Sequence, residues 1–139
     1  MSDSRLISEE YTEIGNELIQ MMPELKELKE SDVQIIFLAS DAEKKSGGKI
    51  IFGQCEKVAE KYKWGIPCDF TITVFEPNVE EFSDKQIQIL LFHELLHIGF
   101  NDKGDPYVRP HDLEDFKAII DRYGTSWAEV EGCRKSMWH

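Results

Sequence analysis

The sequence predicts an α+β fold, on three observations. Strand-like apolar runs are grouped in the middle of the chain, an amphipathic helical pattern precedes them, and helical patterns with strong capping signals follow. Taken in order, residues 5–22 place Ile7, Tyr11, Ile14 and Leu18 at helical spacing with Glu and Gln between them, which predicts a first helix. Pro23 ends it or opens a short further turn, because proline has no N–H for a helix interior. Residues 33–39, from Val33 to Ala39, are apolar and rich in Ile and Val, and predict a buried strand. Ser46, Gly47 and Gly48 form a turn signal, after which Lys49 to Phe52 begins a second strand that runs on toward Val58. Gly65, Ile66 and Pro67 break the chain, and the alternation from Phe70 to Phe75 predicts a third strand, stopped by Pro77 and Asn78.

The helix that follows has the clearest boundaries. Ser83 with Gln86 three residues later is a capping box, and Asp84 lies in the first turn, where the helix dipole favours negative charge. From Ile87 to Ile98 the segment is apolar around most of its circumference, and Gly99 is the expected C-cap. A polar loop from Asn101 to Arg109 leads to Pro110, a residue type favoured at the first helical position. There Asp112, Glu114 and Asp115 crowd the first turn, Leu113, Phe116 and Ile120 make a stripe, and Gly124 closes the helix. The tail from Ser126, carrying Trp127 and Trp138, reads as a last short helix. Without repeats or linkers, residues 1–139 read as a single domain.

Composition narrows the function classes. A chain with 41% hydrophobic and 31% charged residues can bury a core, and no apolar run is long enough to span a bilayer. The net charge of −11 disfavours nucleic acid, whose phosphates attract clustered Lys and Arg, so neither nucleic acid nor membrane is an expected partner. The N-terminus lacks the apolar stretch of an export signal, which predicts a cytoplasmic location. Cys55, Cys68 and Cys133 are odd in number and widely spaced, as expected of reduced thiols used in packing.

The chemistry sits in His93-Glu94-Leu95-Leu96-His97. On a helix, residues four apart differ in direction by about 40°, so His93 and His97 stand one turn apart on one face. Two imidazoles so placed fit adjacent corners of a zinc tetrahedron. Glu94, about 100° round from His93, is placed to serve as the base for a zinc-bound water attacking a polarised carbonyl. Leu90, Leu91, Phe92, Leu95, Leu96 and Ile98 require this helix to be buried, so its polar arc of Gln86, His93 and His97 must meet a partner, a cavity or a metal. His111, fourteen residues after His97, is the leading candidate for the third ligand, with Glu114 and Asp112 as alternatives. Tyr107 and Arg109, in the loop before it, are candidate donors to the oxyanion of the transition state.

The segments Leu90 to Gly99 and Arg109-Pro110-His111-Asp112-Leu113-Glu114-Asp115-Phe116 resemble the phage metallopeptidase family, a zincin-type group pairing an H-E-L-L-H-I core with a downstream H-D-x-E-D-F segment. A looser likeness extends upstream through Asp69 to Val74 and the first helix. The resemblance implies a zincin-like α+β fold, with a small mixed sheet of about three to four strands packed on the H-E-x-x-H helix and helices at both ends. It implies one zinc ion per chain held by His93, His97 and His111, Glu94 as base, phage or prophage origin, and a protein or peptide substrate. Such a sheet could hold a peptide in extended form at its edge strand, and Phe70 to Phe75 is the candidate for that strand. Metzincins carry Gly three residues and His six residues after the second histidine, where Phe100 and Lys103 stand here, so the chain departs from that branch. The expected activity is that of a zinc endopeptidase. The alternative is a catalytically idle zinc-binding module that recognises a protein partner.

Overall fold

The computed structural model describes residues 3–110 and Tyr123. Strand β1 (Arg5–Ile7) comes first, and Ser8 then caps helix α1 (Glu9–Met21), its hydroxyl accepting from the Tyr11 N–H at 3.1 Å. The helix expected over 5–22 therefore starts later, because a capping serine has extended backbone and leaves the preceding residues to pair elsewhere. Arg5, Leu6 and Ile7 pair antiparallel with Ser40, Ala39 and Leu38. Pro23 opens a 3₁₀ turn (Pro23–Leu25) that passes into α2 (Lys26–Glu30).

Strand β2 (Ile35–Ser40) follows, and then the predicted second strand divides in two. Gly47 and Gly48, both at positive φ, turn β3 (Lys45–Ser46) back onto β4 (Lys49–Ile50). Ile51 and Phe52, buried at 2% and 3% exposure, join this hairpin to β5 (Gly53–Lys57), the Ile51 N–H donating to the Lys44 carbonyl at 3.1 Å and the Phe52 carbonyl accepting from the Phe75 N–H at 2.9 Å. The run that looks continuous in sequence is divided because the chain changes pairing partner here, from Lys44 and Lys45 to Val74 and Phe75, with Asn78 Nδ2 donating to the Lys44 and Ile51 carbonyls at the crossing. Strand β6 (Phe70–Phe75) has the predicted bounds, and a 3₁₀ turn at Glu76–Val79 stops it. Helix α3 (Asp84–Leu95), β7 (Ile98–Phe100) and β8 (Pro106–Val108) complete the described elements. The helix expected from Pro110 and the tail from Ser126 lie outside the described residues, Tyr123 excepted.

The result is an α+β fold with a mixed four-stranded sheet in the order β1-β2-β6-β5. Strands β2 and β6 are parallel, whereas β1 and β5 each run antiparallel to their neighbour. Strand β6 is interior, which corrects its assignment as the peptide-holding edge. Its own pattern carries the reason: Phe70, Ile72, Val74 and Phe75 are fully buried, and Thr73 between them is as well, so both faces are covered as in an inner strand. The edge on that side is β5, with the two-tone burial of a strand that meets solvent. Helix α1 lies against β2 and α3, and α3 lies against β5 and β6.

Helix α1 packs closely on the sheet at Gly15. A Cβ there would lie 2.3 Å from Phe37 Cζ and 2.5 Å from Cε2, and the Phe37 ring is itself only 1% exposed. In Gly15→Ala, helix propensity returns up to about 1 kcal/mol. Overpacking a rigid buried ring costs about 1–3 kcal/mol, so we expect a net loss of stability, read as a lower urea midpoint at unchanged m. A midpoint at or above wild type would show that the ring moves aside freely. Among the described residues no helix is long and apolar enough to cross a membrane.

Candidate metal centre

Helix α3 is fixed at its start by the predicted capping box. The Gln86 N–H donates to Ser83 Oγ at 3.2 Å, and the Ser83 N–H donates to Gln86 Oε1 at 2.8 Å. Ile87, Ile89, Leu90, Leu91, Phe92 and Leu95 anchor the helix in the core. That anchoring carries His93 and Glu94, in its last turn, into the interior at 0% and 1% exposure.

The helix ends sooner than the sequence suggests. Leu96 N–H still reaches the Phe92 carbonyl at 3.0 Å, but His97 N–H turns to the Glu94 carbonyl at 3.1 Å, a bond three residues back that tightens the final turn. His97 thus sits just beyond α3, and Gly99 is a strand residue of β7 rather than the C-cap. The cause is the β7–β8 hairpin, where Ile98, Gly99 and Phe100 pair with Val108, Tyr107 and Pro106. A Cβ on Gly99 would lie 3.2 Å from Arg109 Cδ and 3.3 Å from the Tyr107 ring, so glycine here allows close approach.

Despite the early end of the helix, His93 and His97 face one another. Their ring centroids are 5.4 Å apart with planes at 76°. Two imidazoles at adjacent corners of a tetrahedron, each about 2.0–2.1 Å from one ion, have ring centres about 5 Å apart, so the pair has the spacing a shared zinc requires. His97 Nδ1 lies 2.7 Å from the Arg109 carbonyl oxygen. A carbonyl only accepts, so Nδ1 carries a proton, which leaves Nε2 as the nitrogen through which this imidazole would ligate a metal. Chemistry of the donors, their spacing and this tautomer all fit zinc. Among the described residues no group of three or more His, Cys, Asp or Glu side chains is arranged to hold an ion. His111, the expected third ligand, and its alternatives Asp112 and Glu114 lie outside the described residues.

Glu94 points toward the sheet edge. Its Oε2 lies 3.2 Å from where a Cβ on Gly53 would stand, with the Thr73 carbonyl oxygen also at 3.2 Å. The first residue of β5 therefore abuts the carboxylate, a neighbour that sequence spacing gave no means of finding. The only hint was a glycine inside an apolar run, which marks close approach in a strand. Cys55, also on β5, has its thiol pushed well above the usual value by burial, with the carboxylates of Glu94 and Glu56 adding to the effect. It stays protonated near neutrality, in keeping with a packing role, as does the buried Cys68.

The two loop candidates diverge. Arg109 Nε donates to the Leu96 carbonyl, and the Arg109 N–H donates to the His97 carbonyl at 2.6 Å. Tyr107 is 42% exposed, its ring lying across Gly99. A cavity of about 800 Å³ opens beside the β7–β8 hairpin, lined by Glu30, Asp32, Lys57, Lys63, Asp69 and Pro106 among others, without His93, Glu94 or His97.

No curated protein matches this chain, and no solved structure does. One family does, described as "Putative phage metallopeptidase", over residues 4–136. The match takes in the sheet, α3 with its buried His93-Glu94 pair, His97 and the segment that follows. By that near-complete match the chain belongs to the putative phage metallopeptidase family.

Proposed function

We propose that the protein is a zincin-like, zinc-dependent endopeptidase, one domain over residues 1–139, with one zinc per chain held by His93, His97 and His111. The observation that carries this reading is the buried facing pair of imidazoles with His97 Nδ1 committed to the Arg109 carbonyl, beside the buried Glu94 carboxylate. Zinc held by His93, His97 and His111 would supply Lewis acidity, polarising the scissile carbonyl and acidifying the attacking water. Glu94 takes the proton of the attacking water and passes it to the departing amine, so that one water is consumed and one peptide bond is broken.

Strand β5 replaces β6 as the proposed binding edge for an extended peptide, since it borders solvent and begins beside Glu94. Of the two proposed oxyanion donors, Tyr107 is favoured over Arg109, whose Nε is already engaged at Leu96. The family's description supports phage or prophage origin and a protein or peptide substrate.

Elemental analysis of the purified full chain tests the reading. We expect about one zinc per chain, lost in His97→Ala and in His111→Ala. A wild type that contains no zinc and takes none up from dilute solution overturns it. If Glu114 or Asp112 is the third ligand instead, His111→Ala retains the metal and Glu114→Gln or Asp112→Asn loses it.

Gly53→Ala gives a more selective result. The added methyl presses on Glu94 Oε2 from one side and the Thr73 carbonyl from the other. We expect zinc content to persist and kcat to fall by about 10-fold or more, since displacing a catalytic group by a fraction of an ångström is costly. Unchanged kcat would separate Gly53 from the positioning of the base.

A further inference from the structure

The β7–β8 ladder does not stop at Ile98 and Val108. One residue on, His97 and Arg109 stand opposite each other, and the Arg109 N–H donates to the His97 carbonyl at 2.6 Å. In an ordinary antiparallel pair the return bond would run from the His97 N–H to the Arg109 carbonyl. Here that N–H is already spent on the Glu94 carbonyl at 3.1 Å, closing the tight last turn after α3. The Arg109 carbonyl takes its hydrogen bond instead from the imidazole, at His97 Nδ1. One residue therefore meets His97 twice, through main-chain N–H and main-chain carbonyl. Its side chain makes a third attachment, from Nε to the carbonyl of Leu96, the residue just before. The arm reaches Leu96 by crossing β7 at Gly99, where there is no side chain to obstruct it.

From this geometry we propose that Arg109 is a positioning residue for the metal site, a pin that holds the His97 ring in its orientation and its Nδ1–H tautomer so that Nε2 is presented to the metal. The inference rests on the zinc reading above and assigns Arg109 a task distinct from donating to an oxyanion. The guanidinium donates from Nε to the Leu96 carbonyl. It holds the backbone of residue 109 against the end of α3, and the carbonyl of that backbone sets the ring. Partners that orient a ligating histidine are typically worth about 10–100-fold in metal affinity. The same pin fixes where the chain leaves the hairpin for Pro110.

The test compares wild type, Arg109→Ala, Arg109→Lys and Gly99→Ala in the full chain, with circular dichroism and urea midpoints as checks on folding. Two quantities are read: zinc affinity by competition with a chromogenic chelator, and the tautomer of His97 by ¹⁵N-imidazole NMR in metal-free protein. We expect Arg109→Ala to lose about 10–100-fold in zinc affinity and to lose the Nδ1–H signature of His97. Lysine, still able to donate to the Leu96 carbonyl, should recover most of both. Gly99→Ala, whose methyl would stand 3.2 Å from Arg109 Cδ, should weaken both by displacing the arm, and it carries the test with lysine if the alanine variant does not fold. Zinc affinity and His97 tautomer both unchanged in the folded variants would overturn the proposal, and so would an affinity loss with the tautomer intact. A pure oxyanion donor would leave both readouts at wild-type values. If wild type binds no zinc the peptidase reading fails, whereas the His97 tautomer in Arg109→Ala still decides whether the pin exists.

Discussion

Glu94→Gln should keep its zinc and lose about 10²–10⁴-fold in peptide hydrolysis, the range that a positioned acid–base group supplies. The substitution keeps the shape of a side chain that is 1% exposed, so packing beneath β5 is retained and the change is confined to basicity. An amide cannot accept the proton of the attacking water. Hydrolysis can be followed by mass spectrometry on a mixed peptide library, with zinc content measured on the same samples. Retention of zinc with loss of turnover is the outcome that separates an enzyme from an idle zinc module. In an idle module the carboxylate has no task in turnover, and wild type and variant would be equally inactive on every library. Equal, measurable hydrolysis by both would remove Glu94 from the mechanism.

The second large effect concerns stability. Removing zinc from wild type with a strong chelator should lower Tm by on the order of 10 °C. Zinc present at about a thousand times its Kd stabilises the folded chain by about 4 kcal/mol. For a chain of this size each kcal/mol moves Tm by about 2–8 °C. His97→Ala should begin at the lower Tm and show no response to chelator. It also leaves the Arg109 carbonyl without the Nδ1 donor it has at 2.7 Å, so it should fall somewhat below chelated wild type. Calorimetry with and without chelator on both proteins reads the four values. A chelator effect of the same size in wild type and His97→Ala would mean that the stabilising ion sits elsewhere.

Where the sequence was readable, the reason is local. The Ser83–Gln86 capping box spans three residues, and the apolar wrap of α3 repeats within a turn, so both were visible in the residue pattern and both are present. The strand from Phe70 to Phe75 was marked off by turn residues on either side and has those bounds. Misreadings fall where a distant partner outweighed local pattern. Arg5 to Ile7 continue a helical spacing, yet pairing with Leu38 to Ser40 and the cap at Ser8 make them a strand. Gly99 has the look of a helix stop, yet β8 claims it two residues beyond where helical bonding had already tightened.

Local pattern therefore sufficed for a buried, capped helix that brings His93 and Glu94 to its last turn with His97 just past its end, because the forces that form such a helix act between residues three and four apart. Tertiary structure alone decided which strand lies at the sheet edge beside Glu94. It also decided where the helix stops and which nitrogen of His97 carries the proton. Each of these depends on a backbone group brought in from elsewhere in the chain: β5 laid against β6, β8 against β7, the Arg109 carbonyl against the imidazole. A side chain's identity is written in its own position, whereas the donor or acceptor it meets belongs to a different segment and exists at that place only once the chain has folded.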